Sequence, residues 1–187
     1  MENNQINSSI ERILISESEL KTTVMEIAEK INADYKNEEI LLVVILKGSI
    51  VFATDLMRYL TMPVKIDFMQ VSSYGSCTVS KGFINIKKDL SVDVAGKNVL
   101  IIEDIIDSGN TLKKLKELLK SRNPKSVKIC TILDKPDRRV TDVEVEYSGI
   151  SIPDEFVVGY GLDYNEQFRN LPYVGILKRD IYENKGE

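Results

Sequence analysis

Three stretches in this chain leave little choice of fold: Ile40 to Leu46 (ILLVVIL), Val99 to Ile102 (VLII) and Val127 to Leu133 (VKICTIL). None shows the strict apolar and polar alternation of a strand with one wet face. A strand of this kind is buried on both sides, which happens in parallel sheets covered by helices. The first run passes through Lys47 and Gly48 into a second apolar pattern of helical spacing, and the second is followed by Leu112, Leu115, Leu118 and Leu119. Strand, tight turn and helix, repeated, predict an α/β fold: an open, mostly parallel twisted sheet flanked by helices.

Other segments fit around that sheet. Leu20, Val24, Ile27, Ala28 and Ile31 mark a helix over 17–32, with Ser16 or Ser18 as N-cap. Between the first two units, two β-rich runs flank the Ser/Gly/Thr-rich stretch Ser72 to Gly82, which predicts a long flexible β-hairpin loop of the sort that often serves as a lid. The region from Glu155 to Ile181 offers short strands near FVVGY and YVGIL, separated by a polar loop. At 187 residues the chain is expected to form a single domain over 1–187, with a core over about 36–177 and a small hood subdomain made from its N- and C-terminal segments.

Composition narrows the function classes. No apolar run approaches the roughly 20 residues needed to span a bilayer, and the polar N-terminus does not read as a secretory signal, so a cytoplasmic location without membrane contact is expected. Cys77 and Cys130 lie far apart with no paired spacing, and are read as free thiols. The chain has no histidine, which removes the usual base of Ser-His-Asp and Cys-His hydrolases, so proton transfer falls to carboxylates, lysines or tyrosines. A net charge of −4 argues against a broad nucleic-acid surface and leaves room for a local anion site.

That site is predicted at VLIIEDIIDSGNTL, Val99 to Leu112, where Glu103, Asp104 and Asp107 cluster at the end of an apolar strand. In open α/β sheets, ligands bind beyond the carboxyl ends of the strands. Ser108, Gly109, Asn110 and Thr111 lead into a helix whose first N–H groups lack intrahelical partners and attract an anion. Neither the Gly-Lys-Ser/Thr of a P-loop nor GxGxxG is present, so this is a shorter phosphate cradle. Carboxylates beside a phosphate site are explained by a ligand that also presents hydroxyls and metal-bound oxygens, as a ribose phosphate does.

These residues resemble the phosphoribosyl-diphosphate (PRPP) signature of the type I phosphoribosyltransferases. LKGS at Leu46 to Ser49, SSYG at Ser72 to Gly75, DKP at Asp134 to Pro136 and FVVGYGLDYNEQFRNLPYVGIL at Phe156 to Leu177 narrow the resemblance to the hypoxanthine-guanine phosphoribosyltransferase family. The resemblance implies a purine salvage enzyme that moves 5-phosphoribosyl from PRPP to N9 of hypoxanthine or guanine and releases pyrophosphate. It implies Asp107 as the base at purine N7, Asp107 to Thr111 around the 5′-phosphate, and Glu103 and Asp104 at the ribose hydroxyls. Lys47, Gly48 and Arg169 are implied at the pyrophosphate, with a non-proline cis peptide before Lys47. Lys135, Phe156, Val157 and Asp163 are implied at the purine, where Lys135 meets the 6-oxo oxygen and disfavours adenine. Mg²⁺ is implied as the cofactor, with Asp163, Glu103 and Asp104 as its carboxylates. Ser73 and Tyr74 are implied in a loop that closes over the site, and a homodimer or homotetramer is implied.

Three other readings compete. A sensor that keeps the fold would usually need an added nucleic-acid element, for which this acidic chain has no spare basic domain. A phosphoribosyltransferase for adenine or orotate is disfavoured by Lys135 and by the purine-pocket segment, while xanthine stays open as a substrate. A generic phosphate-binding domain leaves the carboxylates unexplained.

Overall fold

The computed structural model describes residues 8–72 and 85–183. Its main sheet has six strands: β2 (Ile40–Ile45), β3 (Val64–Ser72), β4 (Asn85–Lys88), β5 (Asn98–Ile106), β6 (Ser126–Asp134) and β7 (Tyr147–Ser151). Their order is β4-β3-β2-β5-β6-β7, parallel throughout except for the antiparallel pair of β3 and β4. A separate three-stranded antiparallel sheet joins β1 (Ile10–Ile15), β9 (Val174–Leu177) and β8 (Val157–Val158). The FVVGY and YVGIL segments therefore do form strands, but outside the main sheet: β9 lies between β8 and the N-terminal strand β1 and pairs with both.

Helices cover both faces of the main sheet. On one, α1 (Glu17–Tyr35) and α2 (Ile50–Met57) bury Leu20, Val24, Ile27, Ile31, Phe52 and Leu56 against Ile40, Leu42, Val44, Leu100 and Ile102. On the other, α3 (Asn110–Lys120) sets Leu112, Leu115 and Leu119 against Leu41, Val43, Val99 and Ile101. All six residues of β2 are buried, as the unbroken apolar run requires. The two α1 caps offered by the sequence resolve to Ser16, whose hydroxyl accepts from Glu19 N while the Glu19 carboxylate accepts from Ser16 N.

Three features differ from the sequence reading or lie beyond it. β5 runs four residues past Ile102, so Glu103 and Asp104 sit within the strand and not after its end. β1 and β7 carry no clear strand signal in the sequence; Glu11 and Arg12 interrupt the apolar pattern of one, and Ser148, Gly149 and Ser151 dilute the other. β3 and β4 form the base of the expected hairpin, with Gln70 opposite Lys88 and Ser72 opposite Asn85. Ser73, Tyr74 and Cys77 lie outside the described residues. Cys130, the other thiol, is buried, and burial pushes its pKa far up, so it packs as an apolar side chain.

Candidate active site

The site forms where β2 and β5 end and α2 and α3 begin. Gly109 takes a left-handed φ of 83° as the N-cap of α3, a conformation that suits glycine. The loop is braced from outside: Val140 N and Thr141 N both donate to Ser108 O at 3.1 Å, and Arg139 Nε donates to Asp107 O at 3.1 Å. A Cβ on Gly109 would stand 2.8 Å from Thr141 O, so the brace fits only a glycine. The loop opens on a cavity of about 300 Å³ lined by Glu103, Asp107, Ser108, Gly109 and Thr111, together with Ile45 and Leu46. Backbone N–H groups at the start of α3 and two hydroxyls give it the character of an anion site. A larger cavity of about 550 Å³ between α1, α2 and residues 169–172 contains none of these groups and shares only Arg169 with the expected set.

Strand periodicity separates the paired carboxylates. Val99 and Ile101 pack towards α3 whereas Leu100 and Ile102 pack towards α1 and α2, so Glu103 and Asp104 leave β5 on opposite faces. Glu103 borders this cavity, and its buried Oε2 has no hydrogen-bond partner among the described residues. Burial, with Asp104 adding to it, holds its carboxyl well above the usual carboxylate range. Thr131, its register partner on β6, is fully buried, and its hydroxyl has no hydrogen-bond partner among the described residues. Asp104 faces the turn after β2, and burial raises its pKa to about 6 against the opposing pull of Ile105 N–H and Arg169.

That turn places Gly48 hard against Asp104. A Cβ on Gly48 would lie 1.6 Å from Asp104 Oδ2, and a Cβ on Gly161 would lie 1.9 Å from Gly48 O. The Leu46–Lys47 peptide is cis, as the resemblance implied. Arg169 donates from Nη1 to Gly161 O at 2.8 Å, and its Nη2 lies 2.7 Å from Asp163 Oδ1 and 3.3 Å from Glu166 Oε2. Lys47 Nζ reaches the same Glu166 oxygen at 3.0 Å. The two cations implied for pyrophosphate are thus brought together, with the exposed carboxylate of Glu166 bridging them.

The carboxylates implied for Mg²⁺ do not converge. Glu103 lies on the face of β5 opposite to Asp104, and Asp163 accepts from Arg169 and from Glu166 N. Among the described residues no group of three or more acidic or cysteine side chains is placed to hold a metal. The donor set instead fits a Mg²⁺ that arrives on a diphosphate and takes one protein carboxylate, the usual pattern for this reluctantly dehydrated ion.

On the far side of the phosphate loop, Lys135 is buried and donates from Nζ to Glu155 O at 2.7 Å. Burial lowers its pKa, and the nearby Asp107 and Asp154 carboxylates oppose that. Val157 is buried in β8, whereas Phe156 keeps 37% of its surface exposed and stacks on Tyr182. Two arginines that the sequence reading passes over complete the region. Arg138 Nε lies 2.8 Å from Asp107 Oδ1 and its Nη1 3.3 Å from Asp154 Oδ1, while Arg139 Nη2 pairs with Asp134. The Asp-Lys-Pro-Asp-Arg-Arg run is the available signal, since adjacent charges after a strand end face the same crevice as its neighbours.

Comparison with known proteins agrees with this geometry. The family described as "Phosphoribosyl transferase domain" matches residues 13–165. A hypoxanthine-guanine phosphoribosyltransferase from Bacillus subtilis is 49% identical over 175 residues, spanning 94% of this chain and 97% of its own. The Streptococcus pneumoniae protein of the same name is 46% identical over 179 residues, spanning 96% and 99%. The crystal structure of a hypoxanthine phosphoribosyltransferase from Staphylococcus aureus superimposes with a TM-score of 0.93 at 46% identity, covering 98% of this chain and all of the other. With the fold, the braced phosphate loop and these relatives in agreement, the chain belongs to the phosphoribosyltransferases, in their hypoxanthine-guanine branch.

Proposed function

We propose that this protein transfers 5-phosphoribosyl from PRPP to N9 of hypoxanthine or guanine. The observation that carries the reading is the juxtaposition of the braced loop at the start of α3, fit for a phosphate, with Asp107 and the buried Lys135 beyond it. The 5′-phosphate is held by the N–H groups from Gly109 to Thr111 and by the Ser108 and Thr111 hydroxyls. Glu103, bordering the same cavity with a free buried oxygen, accepts from a ribose hydroxyl. Asp104 does not share that task from the same side; it supports the Gly48 turn at the pyrophosphate end.

In the reaction the bond from C1′ to the pyrophosphate oxygen breaks, the electron pair leaving with pyrophosphate, and N9 of the purine bonds to C1′. The purine loses one proton, which Asp107 takes up at N7. Lys135 donates to the 6-oxo oxygen, where the amino group of adenine would present a donor to a donor. Phe156 stacks on the base and the Val157 backbone meets its edge. Lys47, Gly48 and Arg169 receive the pyrophosphate, Glu166 giving up its bridge. Mg²⁺ would be held by Asp163 with substrate oxygens, and supplies charge neutralisation for the diphosphate. For Ser73 and Tyr74, which lie outside the described residues, the proposed part is closure over the site, where water would otherwise hydrolyse PRPP.

We further read the protein as a cytoplasmic homodimer or homotetramer with small-molecule substrates and no nucleic-acid or membrane partner. Among the described residues no helix is long and apolar enough to cross a membrane.

The test incubates the protein with PRPP and Mg²⁺ and each of hypoxanthine, guanine, xanthine and adenine, following nucleotide formation by absorbance, with a chelator control. Metal-dependent product from hypoxanthine and guanine and none from adenine is expected; product from adenine alone, or from no base, overturns the reading.

A further inference from the structure

Phe156 does not stand alone. The Tyr182 ring stacks on it with centroids 4.8 Å apart and planes 22° apart, and Tyr164 meets it edge-on at 5.6 Å and 87°. Tyr182 belongs to α4 (Arg179–Glu183), a single short helix after β9. That helix is tied down by the Tyr164 hydroxyl, which donates to Ile181 O at 3.1 Å, so the two rings against Phe156 are also linked through the backbone. Leu177 N donates to Phe156 O at 2.9 Å, and Lys135 Nζ donates to the carbonyl of the preceding Glu155. The aromatic platform and the lysine implied at the 6-oxo oxygen therefore hang on one two-residue stretch of backbone.

We propose that Tyr182 is a positioning residue for the purine: it covers one face of Phe156, so that the opposite face is presented as a fixed plane for the base. The inference rests on the proposed function. A phenyl ring that is 37% exposed with no backing can turn among its rotamers. Held by one stacked ring and by a second set perpendicular to it, it keeps one orientation, and the base then meets a plane already set. This differs from burial in a core, because Phe156 retains an open surface while its neighbours Val158 and Leu177 are wholly buried.

The test compares Tyr182→Ala, Tyr182→Leu and Tyr182→Phe with the wild type, varying hypoxanthine at saturating PRPP and then PRPP at saturating hypoxanthine. Loss of one stacked aromatic contact predicts a KM for hypoxanthine raised roughly threefold to tenfold in the Ala and Leu variants. The KM for PRPP should stay at the wild-type value and Tyr182→Phe should behave as wild type. Leu keeps apolar bulk on α4, so it reports on the ring even where Ala loosens the helix. Equal rises in both KM values would make Tyr182 merely structural and overturn the proposal. An unchanged hypoxanthine KM would overturn it as well, and a lowered one would show Tyr182 standing in the place of the base. Wild-type protein inactive with every purine would overturn the functional reading, and this proposal with it.

Discussion

Gly48→Ala is the perturbation whose effect the structure fixes most closely. The added methyl carbon would lie 1.6 Å from Asp104 Oδ2 and 2.7 Å from its Cγ, where ordinary contact begins at 3.4 Å. The turn or the carboxylate must therefore yield by about 1.8 Å, the difference between 1.6 and 3.4 Å. The turn has little freedom to retreat, because Gly161, at φ 100°, packs its backbone on Gly48 O. Asp104 is buried, with Oδ1 already accepting from Ile105 N at 2.8 Å. Overpacking of this kind costs about 1–3 kcal/mol, which for a domain of this size lowers Tm by roughly 2–12 °C. If the turn holds pyrophosphate as proposed, a displacement beyond about 1 Å costs on the order of 100-fold in turnover. The assay is kcat and KM for PRPP beside a thermal melt, with Gly96→Ala as the control. Gly96 has a left-handed φ of 70° but, among the described residues, nothing within 4 Å of the position a Cβ would take, so its replacement strains the backbone without touching the site. Wild-type kinetics and Tm in Gly48→Ala would refute the steric argument; equal losses of activity in both variants would refute its connection to the site.

Four further outcomes are expected. Asp104→Asn should stabilise the metal- and ligand-free protein at pH 8, because Asp104 titrates near 4 when unfolded and at about 6 when folded. Its contribution is then fully present below about pH 4 and is lost as pH rises through 6, so the gain in Tm over wild type should vanish by pH 4; a gain independent of pH would contradict the burial argument. Glu166→Gln removes a carboxylate from between Lys47 and Arg169, and since these pairs are largely exposed, KM for PRPP should fall by only about twofold to fivefold; a rise would mean that Glu166 itself serves the substrate. Asp107→Asn should lower kcat by roughly 100- to 10,000-fold with PRPP binding nearly intact, as measured by calorimetry, and unchanged turnover would remove Asp107 from proton transfer. Lys135→Ala should weaken hypoxanthine and guanine binding and spare PRPP; a uniform loss of both would give Lys135 a structural role.

What can be read from the sequence is whatever rests on local pattern. β2 and β5 announce themselves because strands covered on both faces have no polar side to interrupt them, and α1 does so through the helical spacing of Leu20, Val24, Ile27, Ala28 and Ile31. Gly109 marks the phosphate loop because only a left-handed residue turns there without strain. The rest depends on contacts between distant segments. The strand from Ile10 to Ile15 is recognisable only through its pairing with β9, and the bridge by Glu166 only through the approach of Lys47 from 119 residues away. Glu103 and Asp104 read as a pair since they are adjacent, yet adjacency within a strand is what sets them on opposite sides. Arg138 is marked only by the charged run it belongs to, because a surface arginine and one paired with Asp107 look alike until the crevice is folded.

The contact of Gly48 with Gly161 also has a mechanical meaning. Two backbones meet there with no side chain between them, and side chains are what usually absorb small displacements by changing rotamer. Gly48 lies in the turn assigned to pyrophosphate, and Gly161 in the loop that follows the purine strand β8. A joint without side chains has little slack, so under the proposed assignment a shift of the turn at Gly48 would be felt at Gly161, coupling the pyrophosphate end of the site to the purine end through bare main chain.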